Sequence, residues 1–300
     1  MNALYDFIRA TLQELALAGK VPESFQYAFV VNSLLCAIFI GPVLGGIGTM
    51  VVTKRLAFFS EAVGHAALTG VALGILWGEP STSPYASMFG FCIVFGLSMN
   101  FTRNRTKMSS DTLIAVFLSI SLAVGASLLL YVTRKVNVHI LDNILFGSIL
   151  TVNDTDMNVL IIIVLLCLAL GMPYYNKMLL ASFNPYLARV RGINVTLLDY
   201  LFIVMITVLT VAAVKIIGAV LVEALLIIPA AAARNLSRSI RGFFLYSMIF
   251  STVSCLAGII IPLEYDVPIP SGGAIILVAA GFFVITTAIK TVTKGLSDAA

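Results

Sequence analysis

The chain has 300 residues, of which 60% are hydrophobic and only 11% charged, and its net charge is +4. That balance would leave a soluble fold with more apolar surface than one core can hide, so lipid must cover the remainder and a soluble globular protein is excluded. The positive residues sit in short loops between apolar runs, where they orient helices, and nucleic acid is not an expected partner.

Residues 1–26 carry Asp6, Arg9, Glu14 and Lys20 scattered among apolar residues, which is not the pattern of a signal peptide. Leu4, Phe7, Ile8, Leu12 and Leu15 fall at helical spacing, so the segment reads as an amphipathic interfacial helix. Apolar runs long enough to cross a bilayer follow at 27–52, 57–77, 83–101, 111–132, 157–177, 197–214, 216–233, 243–262 and 273–290. That makes about nine spans, or eight if one of the closely spaced pair 197–214 and 216–233 only re-enters. The fold class is therefore an all-α integral membrane protein: an interfacial segment, one membrane domain over 27–290, and a cytoplasmic tail over 291–300.

Lys54 and Arg55, then Arg103, Arg105 and Lys107, then Lys177, Arg189 and Arg191, then Arg234, Arg238 and Arg241, then Lys290 and Lys294 all fall on one side. That side is the cytoplasm. The outward turns carry Trp77 and Glu79, then Glu264 and Asp266, while Arg134 and Lys135 are outward exceptions. Cys36, Cys92, Cys167 and Cys255 each lie inside an apolar run without a CxxC pair, and read as small packing residues.

One loop differs from the rest. Asn184 suits an N-cap, Pro185 the first helical position and Gly192 the residue just past a helix end, which predicts about two turns of cytoplasmic helix bearing Arg189 and Arg191. It serves either as a connector on the membrane surface or as a docking helix for a cytoplasmic partner.

The second span, RLAFFSEAVGHAALTGVALG, places Glu61 and His65 four residues apart in an otherwise apolar helix, hence on one face. Thr69 continues that row, and Ala62, Ala66, Gly70 and Gly74 form an adjacent row that admits close approach of another helix. A carboxylate inside a membrane costs about 2.5–3.5 kcal/mol on insertion scales and usually faces a pathway or a partner. Carboxylate oxygen with imidazole nitrogen suits divalent Zn, Mn or Fe. One helix supplies two ligands; two copies of the chain at a symmetry axis would supply four. A self-neutralising structural pair remains the alternative reading of Glu61 and His65. Glu223, in IIGAVLVEALLIIPAAAARNL, either lines the same path or bonds to a neighbour such as Lys215, and Pro229 bends that span. His139 reads as a solvated loop residue. Nothing matches GxxxxGK[ST], so energy for pumping would come from another subunit or an ion gradient.

On these residues the chain resembles the membrane permeases of zinc and manganese ABC importers, the ABC-3 group, over most of residues 27–290. RLAFFSEAVGHAALTGVALG is similar to the family's second-helix motif, in which an acidic residue and a histidine four apart line the metal path; Glu61 stands where the family more often has Asp. Matches continue through SSDTLIAVFLSISLAVGASL at 109–128, ILFGSIL at 144–150, FNPYLARVRGINV at 183–195 and VKIIGAVLVEALLIIPAAAARNLSRS at 214–239. The third resembles the coupling helix, with Asn184 for the usual Asp, and in the last Glu223 replaces a small or apolar residue.

The resemblance implies a type II importer-like permease in the bacterial inner membrane, acting as a homodimer with a cytoplasmic ATP-binding subunit and an extracytoplasmic solute-binding protein. The transported divalent metal would be cargo, with no permanently bound cofactor and no catalysis by this chain. A proton-coupled transporter using Glu61 and Glu223 as a relay, and a membrane scaffold that moves nothing, are the rival readings.

Overall fold

The computed structural model describes residues 2–19, 21–80, 84–106, 108–133, 149, 152–265 and 267–298. Lys107, Arg134, Lys135, His139, Asp266 and all but Ile149 of the 144–150 motif lie outside the described residues. The helices are α1 (Asn2–Leu17), α2 (Ala28–Lys54), α3 (Phe59–Leu76), α4 (Tyr85–Arg105), α5 (Ser110–Thr133), α6 (Asp154–Phe183), α7 (Pro185–Val190), α8 (Val195–Ile217), α9 (Ala219–Leu236), α10 (Ile240–Glu264) and α11 (Ser271–Asp298). Among the described residues nine of these, all but α1 and α7, are long and apolar enough to cross a membrane. Both α8 and α9 qualify, separated by Gly218, whose φ of 85° is a left-handed conformation that interrupts the helix between them. The chain thus folds as an all-α membrane protein.

Two compact units divide the chain. The first comprises Met1–Val52, Ser148–Ile161 and Ala224–Ala300. Here α2 meets α10 along small residues: a Cβ added at Gly41 would stand 2.8 Å from the Thr252 backbone, and the Ser247 hydroxyl donates to the Gly45 carbonyl at 2.6 Å. Gly258 brings α10 equally close to α11 at Ile275. Where helices gain little from the hydrophobic effect, such close backbone approach supplies the dispersion contacts that hold them. Helix α1 is fastened at its first turns. Tyr5 donates to Asn158 at 2.9 Å, and Arg9 bonds to Asn32 at 2.7 Å and pairs with Asp6 and Asp154. Among its described side chains, which leave out Leu4, those it buries are Tyr5 and Ala16, while Phe7 stays 69% exposed. The apolar stripe expected from helical spacing is therefore only partly the face that packs, because polar anchors at Tyr5 and Arg9 set the rotation of the helix.

The second unit comprises Thr53–Gly147 and Ile162–Glu223, and α3 packs there against α4, α5 and α8. The small-residue row forms the seam with α4: a Cβ on Gly70 would stand 2.8 Å from Met88 Cα, and one on Gly74 would stand 3.0 Å from Pro84. Glu79 caps the start of α4, accepting from the Ser87 amide at 3.0 Å. On the opposite flank, Gly125 of α5 lies against Thr69, whose hydroxyl donates to the Ser121 carbonyl at 3.2 Å. Gly96 of α4 makes room for Thr207 of α8. The helix bearing Glu61 and His65 is thereby enclosed by three neighbours.

Candidate functional site

Helix α3 is buried at every position from Phe59 to Ala72 except two, and those two are Glu61 and His65. The four-residue spacing puts both on one face, and the packing of the other faces leaves that face alone partly open. Gly64, between them, is pressed against α8 and α9, a Cβ there standing 2.9 Å from the Ala219 side chain. Glu61 is close enough to His65 for their charges to interact. The imidazole Nδ1 is buried and has no hydrogen-bond partner among the described residues. A buried polar nitrogen without a partner loses its hydration for nothing in return, unless a ligand fills the place.

Thr69 does not extend this polar row. It is fully buried and committed to the α5 contact, so the open stripe ends at His65. Glu223, one turn into α9, is half-buried and lies within electrostatic range of Glu61. Lys215 sits with its ammonium 3.7 Å from the centre of the Tyr85 ring. Among the described residues no three His, Cys, Asp or Glu side chains converge on one point. The chain therefore offers a two-donor patch with a further carboxylate nearby, which is an open arrangement and not a closed cage.

Helix α7 forms as its punctuation predicts. The Asn184 side chain accepts from the Leu187 amide at 3.0 Å, and Pro185 occupies the first turn. Gly192, at φ 73°, ends it: its amide donates to Arg189 at 2.9 Å, and Ile193 donates to Ala188 at 3.0 Å. These two bonds are the pair that closes a helix through a left-handed residue. Only Ala188 of α7 is buried; Arg189 and Arg191 are exposed, and Tyr186 and Val190 are 78% and 69% exposed. The apolar contribution of Tyr186, Leu187 and Val190 to this surface was not anticipated, because a six-residue helix has too few turns to show a periodic face.

The model of the ABC 3 transport family matches residues 26–290. The manganese transport system membrane protein MntC of Listeria innocua is 31% identical over 260 residues, covering 87% of this chain and 90% of that protein. The high-affinity zinc uptake system membrane protein ZnuB of Haemophilus influenzae is 30% identical, over 87% of this chain and 97% of its own length. Among solved structures, PsaBC from Streptococcus pneumoniae in complex with Fab superposes with a TM-score of 0.74 at 30% identity, over 87% of this chain and 91% of that one. Shared sequence along nearly the whole membrane domain, on a shared helical architecture, places this chain in the ABC 3 transport family.

Proposed function

We propose that the chain is the membrane-spanning permease of an ATP-driven importer for divalent transition-metal ions, with Glu61 and His65 as transient ligands along the path. The observation that carries this reading is α3, closed from Phe59 to Ala72 except at a carboxylate and an imidazole with a buried nitrogen that has no hydrogen-bond partner among the described residues. Oxygen and nitrogen donors suit manganese, zinc and ferrous iron, in keeping with the manganese and zinc named for the relatives. Two copies facing each other would present two Glu and two His to one ion. Replaceable waters complete its shell, since a site that holds too tightly cannot release. Glu223 tunes the field at this point without needing to touch the ion.

The chain lacks a phosphate-binding loop, and ATP is hydrolysed on a separate cytoplasmic subunit that docks at Asn184, Pro185, Arg189, Arg191 and Gly192 together with the exposed Tyr186 and Val190. An extracytoplasmic binding protein delivers the ion, and the complex sits in the bacterial inner membrane. The test is uptake of radioactive manganese and zinc, each competed by the other, in cells expressing the chain with its ATP-binding subunit and binding protein. Uptake that requires hydrolysis and is lost in a well-assembled His65→Ala variant is expected. Uptake indifferent to both would return Glu61 and His65 to a structural role.

A further inference from the structure

Below the metal-facing pair, at the end of the second unit that carries α7, three helices are joined by one acid. Asp199, the fifth residue of α8, accepts from Lys54 at 2.5 Å and lies 3.7 Å from Arg103. Lys54 is the last residue of α2, and Arg103 lies in the last turn of α4. All three side chains are largely withdrawn from water, at 8%, 15% and 18% exposure for Lys54, Arg103 and Asp199. The Lys54 ammonium also stands 5.5 Å from the centre of the Phe202 ring. Desolvated ions seldom stabilise a fold more than apolar side chains of the same size would, so what such a group supplies is the fixing of one arrangement over others.

The covalent surroundings show which arrangement is fixed. Arg55, next to Lys54, has a φ of 56°, a left-handed conformation that a side-chain-bearing residue adopts only when its surroundings impose it. Four residues of corner, 55–58, then lead into α3, and Glu61 is the third residue of that helix. On the other side of the ion pair, Arg191, Gly192, Ile193 and Asn194 connect α7 to α8, with Asn194 capping α8 through the Leu197 amide at 3.0 Å. One continuous set of contacts from α7 to Glu61 thus runs through the start of α8, across the Asp199–Lys54 pair and around a strained corner, beside the direct packing of α8 on α3.

We infer that Asp199 is the positioning residue through which displacement of α7 reaches the metal-binding end of α3, with Lys54 as its partner and Arg103 holding the carboxylate in place. The inference rests on the transport reading above. Its test uses the complete complex, with ATP-binding subunit and binding protein, in proteoliposomes, measuring manganese and zinc moved and ATP hydrolysed in the same sample. For Asp199→Asn, ATP hydrolysis persists while metal moved per ATP falls about 10-fold, the scale by which residues between two coupled sites alter coupling. Asp199→Glu, which keeps the charge, restores the ratio. Lys54→Gln reads the same pair from its other side and lowers the ratio likewise. An unchanged ratio in Asp199→Asn overturns the inference, and so does a fall in transport and hydrolysis by the same factor. If neither Asp199→Asn nor Lys54→Gln assembles with the ATP-binding subunit, the pair is a scaffold element and the inference also fails. A wild-type complex that hydrolyses ATP but moves neither metal instead overturns the transport reading itself.

Discussion

Glu61, His65 and Glu223 differ in what surrounds them, and that difference separates their expected contributions. The first two are the only openings in a helix otherwise enclosed from Phe59 to Ala72, whereas Glu223 interacts with Glu61 through space without converging on a shared point. Metal uptake should therefore fall to background in Glu61→Gln and in His65→Ala. Glu223→Gln should retain transport, with apparent affinity for the metal lowered about 10-fold, as for a group that tunes ligands from outside the coordination shell. Initial-rate uptake across a range of metal concentrations separates the two outcomes. The pair was legible in the sequence because a carboxylate and a histidine at helical spacing stand out in an apolar run. Thr69 was misplaced on the same stripe because spacing gives the face of a residue, but not which neighbour claims its hydroxyl. Asp199 and Lys54 were not legible at all: they are 145 positions apart, and only the fold brings them together.

At the scale of elements, glycine placement and helix caps carry the structure. A Cβ at Gly48 of α2 would overlap the backbone carbonyl oxygen of Leu226 in α9, and a backbone atom cannot rotate away as a side chain can. Gly48→Ala should destabilise the chain by about 1–3 kcal/mol, the range for overpacking a filled interior, seen as a lower thermal midpoint in detergent. The cap of α7 is a gentler lever. Asn184→Ala removes the acceptor for the Leu187 amide and should cost about 1 kcal/mol of local helix stability, while Asn184→Asp keeps the cap. On the docking role proposed above for α7, the expected readout is weaker capture of the ATP-binding subunit by Asn184→Ala alone, with thermal stability of the membrane domain unchanged. The caps were readable because Asn, Pro and Gly each act through local backbone chemistry. Span ends were less so. The run expected at 157–177 is a helix over Asp154–Phe183, and α11 continues to Asp298 through what read as a tail, since polar side chains near a membrane surface extend a helix without altering its apolar centre.

For the whole molecule, the number of crossings decides on which side every later loop falls. With nine spans and the basic loops assigned to the cytoplasm, α1 is expected outside and α7 and the loop between α9 and α10 inside, together with Arg234, Arg238 and Arg241. If either α8 or α9 merely re-entered, residue 238 would move to the outside together with those three arginines. At 18 residues α9 spans about 27 Å as a straight helix, close to the thickness of the hydrocarbon core. Native thiols do not obscure the test, since Cys36, Cys92, Cys167 and Cys255 are at most 4% exposed. Single cysteines at Glu14, Arg189 and Arg238, all exposed positions, can therefore be probed in intact cells with a membrane-impermeant maleimide. Glu14→Cys should label at once, and Arg189→Cys and Arg238→Cys only after permeabilisation. Labelling of Arg238→Cys in intact cells with Arg189→Cys still protected would reduce the crossings by one and make either α8 or α9, which carries Glu223, a re-entrant segment.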